Sequence, residues 1–164
     1  MKIAVAGSRR RYWRSEEDLG DACELLLSHI CRKYESPVIV IGDEKTGVDA
    51  VVAKLCQERK IAYEIVPADS RDPRSLVRRT KKVVASGDAV YVLFPYEAFC
   101  SRGTTAAAVF ACRMSKPCYI CVYTGGKLVI RKVLGFIELG RGKYIFVLPC
   151  GGKTELVSVT VRRQ

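Results

Sequence analysis

Three short polar stretches combine glycine with hydroxyl, carboxylate or guanidinium side chains: Gly7-Ser8-Arg9, the run from Gly42 and Asp43 to Thr46 and Gly47, and Ser101-Arg102-Gly103-Thr104-Thr105. Glycine lets backbone approach a ligand closely, hydroxyls and free N–H groups at a helix start donate to phosphate oxygens, and guanidinium pairs phosphate through two parallel bonds. The chemistry these residue types share is anion recognition, phosphate above all. Residues 9–14 (Arg-Arg-Arg-Tyr-Trp-Arg) add four guanidinium groups and two rings, so Arg9 reads as a phosphate contact and Tyr12 and Trp13 as stacking surfaces for a base. The other reading of the same run is a solvated basic loop in which Trp13 staples the next helix. Asp49, two residues after Gly47, either complements a helix dipole or holds a ribose hydroxyl.

What is missing prunes the alternatives. Gly42 and Gly47 have the spacing of a P-loop, but Val48-Asp49 stands where that loop requires Lys-Ser/Thr. No G-x-G-x-x-G follows any apolar run, so the standard dinucleotide fingerprint is missing. The one histidine, His29, lies beside Leu26 and Ile30 in a helical stretch and reads as structural, against a His-dependent triad or a His-ligated metal. No metal site and no cofactor is predicted beyond a nucleotide-type ligand.

The three stretches need elements to bring them together. Apolar runs at 2–6, 37–41, 61–66, 89–94 and 117–123 read as strands, and the continuous β-branched run at 37–41 suits a central one buried on both faces. Between them lie helices. Ser15 with Asp18 opens one that carries Leu19, Cys23, Leu26 and Ile30 on a single stripe; residues 48–60 form a second with Val48, Val52 and Leu55 inward. Pro73 starts a third that ends near residue 86, and 105–114 is an alanine-rich fourth. This alternation predicts an α/β fold, a Rossmann-like parallel sheet with flanking helices, over residues 1–124. Beyond Gly125-Gly126 the helical period stops, and 127–134, 143–148 and 154–161 read as strands of a C-terminal antiparallel β extension (residues 125–164) added to the sheet or folded across it.

The formal charge of +11 is uneven: residues 126–164 carry eight Lys/Arg, including Arg162 and Arg163, against two Glu. A basic balance favours an anionic partner, whether nucleotide, single-stranded nucleic acid or acidic protein. No stretch is long and apolar enough to span a bilayer and Met1-Lys2-Ile3 runs straight into a strand, which predicts a cytoplasmic protein without membrane contact. Eight cysteines are many for that compartment. Cys23, Cys31, Cys56 and Cys112 read as small hydrophobes on apolar helix faces, with structural disulfides as the alternative. Cys118 and Cys121, three apart in one strand, point to opposite faces and cannot chelate together.

The three junctions together resemble the SLOG superfamily, the Rossmann-like group that contains the DNA-processing protein A (Smf) family, the lonely-guy phosphoribohydrolases and YspA/YpsA-like proteins. The resemblance covers about residues 1–123. Gly7-Ser8-Arg9 looks like the superfamily's opening Gly-Ser-Arg, and the segment from Gly42 through Gly47-Val48-Asp49-Ala50 is similar to its Gly-x-Ala-x-Gly-x-Asp-Ala. Arg79, nine residues before Asp88, falls where those families carry an Arg-Asn pair, with Thr80 in place of the Asn. Ser101 through Ala106 is similar to a shortened Ser-Gly-(Ser/Thr)-x-x-Thr-Ala segment.

The resemblance implies a nucleotide or nucleotide-derived ligand held by Gly7, Ser8, Arg9, Gly42, Asp43, Thr46, Gly47, Asp49, Arg79, Ser101, Gly103, Thr104 and Thr105. It also implies a homo-oligomer, for which the alanine-rich helix offers a close-packing face. A DNA-processing protein A type of single-strand binding is the alternative. Lonely-guy hydrolase activity is disfavoured, because counting from Gly103-Thr104 the catalytic Glu position holds Ala107.

Overall fold

The computed structural model describes residues 1–161, so Arg162 and Arg163 of the basic tail lie outside the described residues. Strands β1 (Lys2–Gly7), β2 (Val38–Gly42), β3 (Tyr63–Val66), β4 (Ala89–Pro95) and β5 (Cys118–Thr124) form a parallel sheet in the order β3-β2-β1-β4-β5. Strand β6 (Lys127–Lys132) adds antiparallel to β5 as the sixth member. Helices α1 (Glu16–Lys33), α2 (Val48–Arg59), α3 (Pro73–Ser86) and α4 (Arg102–Arg113) connect the parallel strands. The chain winds outward through β2 and β3, then crosses back to place β4 on the other side of β1. Right-handed crossovers therefore put α1 and α2 on one face and α3 and α4 on the other.

The local reasons are readable in the side chains. Ser15 accepts a hydrogen bond from the Asp18 N–H, and Glu16, Glu17 and Asp18 complement the start of α1. Pro73 sits in the first turn of α3, whose N-cap Asp72 accepts from the Ser75 N–H. All seven residues of β4 are buried, as is the Ile3-Ala4-Val5 stretch of β1. The centre of the sheet is thus the β1–β4 pair. The 37–41 run forms an interior strand, one place in from the edge strand β3, because continuous β-branching reports burial on both faces and not position in the sheet.

Each face of the sheet has its own core. Leu19, Leu26, Leu27 and Ile30 of α1 and Val52 of α2 pack on Ile3, Ile39 and Tyr91; Val83 and Val84 of α3 and Ala107, Ala108 and Ala111 of α4 pack on Ala4, Val92 and Phe94. A fully buried side chain of Val, Leu or Ile contributes about 1.5–3 kcal/mol relative to exposure. The alanine face of α4 is therefore occupied within the chain, and only Ala106 of that run is half-buried. It is not an open surface for a second copy.

The C-terminal extension does both things the sequence left open. β6 extends the main sheet, while β7 (Gly135–Gly140), β8 (Lys143–Cys150) and β9 (Lys153–Thr160) form a separate antiparallel sheet. Its Tyr144, Phe146 and Leu148 join the core on the α4 side, where Phe146 stacks on Phe99 with ring centroids 4.8 Å apart. Strand β7 was not expected from the sequence. It is a short edge strand bounded by Gly135 and Gly140, residues that read as turn.

Cys118 and Cys121 fall in the cores of opposite faces. All eight cysteines are free, with none at disulfide distance from another. Cys23 and Cys56 are buried as expected, Cys112 is half-buried, and Cys31 is exposed because it lies off the buried stripe of α1. His29 sets its ring edgewise to Tyr91, away from the loops; burial, with Lys33 and Arg32 nearby, lowers its pKa. No helix among the described residues is long and apolar enough to cross a membrane.

Candidate functional site

The sheet order reverses between β1 and β4, and that switch point is where loops on either side diverge and leave a crevice at the strands' carboxyl ends. The loop after β1 reaches the crevice first. Gly7 packs directly on Val48, and any Cβ there would collide with its side chain. Gly47 has φ +84°, and a Cβ on it would lie 2.7 Å from both Arg9 Cα and the Ser8 carbonyl oxygen. The Val48 N–H donates to that carbonyl at 3.4 Å, and the Trp13 indole N–H donates to it at 3.2 Å. The start of α2 is therefore packed against the first loop. The anion site expected there is closed by backbone.

The start of α4 is different. Its N-cap residue Ser101 makes no side-chain cap bond; the hydroxyl turns to Ser8 Oγ, 2.5 Å away, while Thr104 Oγ1 lies 3.3 Å from Ser8 Oγ. Three buried hydroxyls thus converge beside the first turn of a helix whose N–H groups lack a side-chain cap. Thr105 faces away, donating its hydroxyl to the Ser101 carbonyl at 2.7 Å. The loop leading into α4 is held under strain, with Tyr96 at φ +62° and Phe99 at φ +61°. Each costs on the order of 1 kcal/mol, and each is pinned: Tyr96 donates to Asp18 and accepts from the Arg14 N–H, and Phe99 stacks on Phe146.

Opposite the hydroxyls lies a cluster of charge. Arg79, with only 11% of its side chain exposed, donates to Asp43 at 2.9 Å and to Glu44 at 3.2 Å. Arg71 donates to Asp43 at 2.5 Å, and Arg9 lies 3.8 Å from Glu44. Burial alone would raise the Asp43 pKa, but the Ala68 N–H, Arg79 and Arg71 outweigh it and hold the carboxyl below its ordinary value. The guanidinium groups of Arg79 and Arg71 are therefore engaged by carboxylates, and of the two arginines expected to bind phosphate Arg9 is the more exposed and the more loosely paired.

Asp49 is the unusual carboxyl. Burial raises its pKa to about 6, with Glu44 and Asp43 adding to the rise and Arg79 and the Glu44 N–H opposing it. The Arg79 Nε is buried without a partner. A Cβ on Gly42 would stand 2.8 Å from both Arg79 Nε and Asp49 Oδ2, so glycine leaves the space that these two groups occupy.

Hydroxyls and charges line one cavity of about 730 Å³, within the range of small-molecule sites. Gly7, Ser8, Arg9, Tyr12, Gly42, Asp49, Arg79, Ser101, Gly103 and Thr104 all border it. Asp43 stands behind it as the partner of two arginines; Thr46 is exposed and Gly47 buried, and neither borders it. Trp13 does not either. It is 3% exposed and packs on Tyr96 and Tyr123 in the core, which leaves its ring no open face toward the cavity for stacking a base.

Glu44, Arg71, Lys81, Arg102, Arg113 and Tyr144 also border the cavity and were not singled out from sequence. For the helical ones a signal existed. Leu76, Val77, Thr80 and Lys81 on α3, and Arg102, Ala106, Phe110 and Arg113 on α4, recur at three- and four-residue spacing and mark two facing stripes. Ala107, where the phosphoribohydrolases carry Glu, is fully buried against the sheet. No model of a known protein family and no curated protein matches the chain.

Proposed function

We propose that this chain is a SLOG-type protein that binds a nucleotide or nucleotide-derived ligand at the carboxyl ends of its parallel strands, as a sensor or as a nucleotide-processing enzyme. The observation that carries the reading is the convergence of Ser8, Ser101 and Thr104 hydroxyls on the uncapped first turn of α4. Hydroxyl donors, free N–H groups and the positive end of a helix dipole are what a phosphate needs. The cavity is bordered at this end by Arg9, Arg11, Arg71, Arg79 and Arg102 against the carboxylates of Glu44 and Asp49, which suits an anion of more than one charge.

In this reading the phosphate sits on the hydroxyl cluster with Arg9 and Arg102 at its flank, and the half-buried Tyr12 ring borders the space for the base. Asp49 faces the same space. A carboxyl with a pKa of about 6 is suited to proton transfer near neutral pH, so any acid–base step would fall to it, since position 107 carries no carboxylate. Native mass spectrometry of freshly purified protein tests the proposal. A retained phosphorylated molecule, lost in the Ser8→Ala/Ser101→Ala variant, supports it; no retained molecule and no rise in Tm with any nucleotide refutes it.

A further inference from the structure

The cavity does not end at the hydroxyl cluster. It continues as a groove between α3 and α4, with Val5 and Ala6 of β1 as its floor and Leu76, Val77, Ala106 and Phe110 as apolar walls. From Arg102 to Arg113 the groove follows α4 for roughly 16 Å, at about 1.5 Å per residue. Its far end is again cationic: the Lys81 ammonium lies 5.1 Å from the centroid of the Phe110 ring, and the Arg113 guanidinium 5.4 Å from that of Tyr144. Arg113 is held in place, donating to Glu138 and, at 3.1 Å, to the Tyr144 hydroxyl. Lys81 has no carboxylate within ion-pair distance among the described residues.

We propose that this far end is a second anion subsite, so that the groove takes a dinucleotide-sized ligand with a phosphate at one end and a second anionic group at the other. The inference rests on the nucleotide reading of the hydroxyl cluster and adds the ligand's length and charge pattern. The order of surfaces along the groove is donor cluster, apolar trough, cations, which matches phosphate, nucleoside body and second anion. A mononucleotide fills only the first part. The inference also gives the C-terminal sheet a role in the site, because Tyr144 and Val161 close the groove at that end.

Isothermal titration at fixed salt distinguishes the possibilities with three probes: a nucleoside 5′-monophosphate, a dinucleotide phosphorylated at both its 5′ and 3′ ends, and the same dinucleotide without its 5′-phosphate. The doubly phosphorylated dinucleotide is expected to bind at least tenfold more tightly than either of the others. Lys81→Ala should remove most of that advantage while leaving the monophosphate affinity unchanged, and Lys81→Arg should retain it. Equal affinity for monophosphate and doubly phosphorylated dinucleotide, or an equal loss for both in Lys81→Ala, overturns the second subsite while leaving the first standing. Absence of binding by all three overturns both.

Discussion

Ser8 and Ser101, 93 residues apart in the chain, meet hydroxyl to hydroxyl at 2.5 Å across the point where the strand order reverses. The Ser101 hydroxyl gives up a more local bond to do so, leaving α4 without the side-chain cap that a serine in that position ordinarily supplies. A helix start left uncapped beside a buried hydroxyl pair loses stability unless another acceptor completes it. Ser101→Ala loses the buried bond to Ser8 but no cap, so the ligand-free protein should lose only the roughly 0.5–1.5 kcal/mol of one hydrogen bond and its Tm should fall modestly. The same variant should weaken phosphate-bearing ligands up to about tenfold, the worth of one hydrogen bond of 0.5–1.5 kcal/mol. Paired thermal unfolding with and without nucleotide measures both effects.

Asp49 makes stability depend on pH in a definite direction. Its folded-state pKa, about 6, lies above the ordinary carboxyl value, so its contribution is fully present below that ordinary value and is lost as pH rises through 6. The two-unit shift corresponds to up to about 3 kcal/mol at 1.36 kcal/mol per unit. Asp43 acts in the opposite sense, its depressed pKa giving stability above the ordinary value that is lost as pH falls. Asp49→Asn should thus be less stable than or equal to the parent at pH 4.5 and more stable at pH 7.5, by urea unfolding at both values. A stability difference that does not change with pH would remove the buried-carboxyl account.

Gly42 is required for space rather than for backbone freedom. A methyl group there meets Arg79 and Asp49 at 2.8 Å, so Gly42→Ala must push one of them aside. Overpacking of this kind costs about 1–3 kcal/mol, and the displaced group is the buried Arg79 or the buried Asp49. The expected result in denaturant titration is a lower midpoint. In Gly42→Ala/Asp49→Ala, where the second clash partner is removed, part of that loss should be recovered.

Trp13 is a packing residue. Trp13→Ala should cost about 3–5 kcal/mol by loss of buried ring, whereas Trp13→Phe should keep nucleotide affinity within twofold. Retained affinity in a folded Trp13→Phe protein is what a packing role predicts; a large loss at unchanged stability would restore the stacking role.

Salt separates a small anionic ligand from a nucleic-acid strand. Binding that neutralises many phosphates falls steeply with ionic strength, by a power close to the number neutralised. A ligand confined to one groove should show a shallow slope, and an oligonucleotide should bind no more tightly than a dinucleotide. A steep slope with rising affinity for longer strands would favour the single-strand alternative.

The parallel core was legible because strand burial and helix periodicity are local: Ser15, Asp18 and Pro73 mark the helix starts at which the structure places them. Strand β7 was not, since Gly135 and Gly140 mask a six-residue edge strand paired with β8. In the site, the glycines and Ser8, Ser101 and Thr104 could be picked out because loops after parallel strands must gather. Which helix start stayed open could not. That depends on the Ser8 carbonyl turning to Val48 and the Ser8 hydroxyl turning to Ser101, contacts across 40 and 93 residues. Lys81 and Arg113 lay on legible helical stripes, but Tyr144 comes from the extension, whose packing on the α4 side no local pattern announces.

The most direct test is titration of a nucleoside 5′-monophosphate and its unphosphorylated nucleoside into the wild-type protein and the Ser8→Ala/Ser101→Ala variant. The account predicts that the nucleotide binds the wild type, that the nucleoside binds far more weakly, and that the double variant loses at least tenfold in nucleotide affinity while remaining folded. Equal binding of nucleotide and nucleoside, or undiminished nucleotide affinity in the variant, would contradict it.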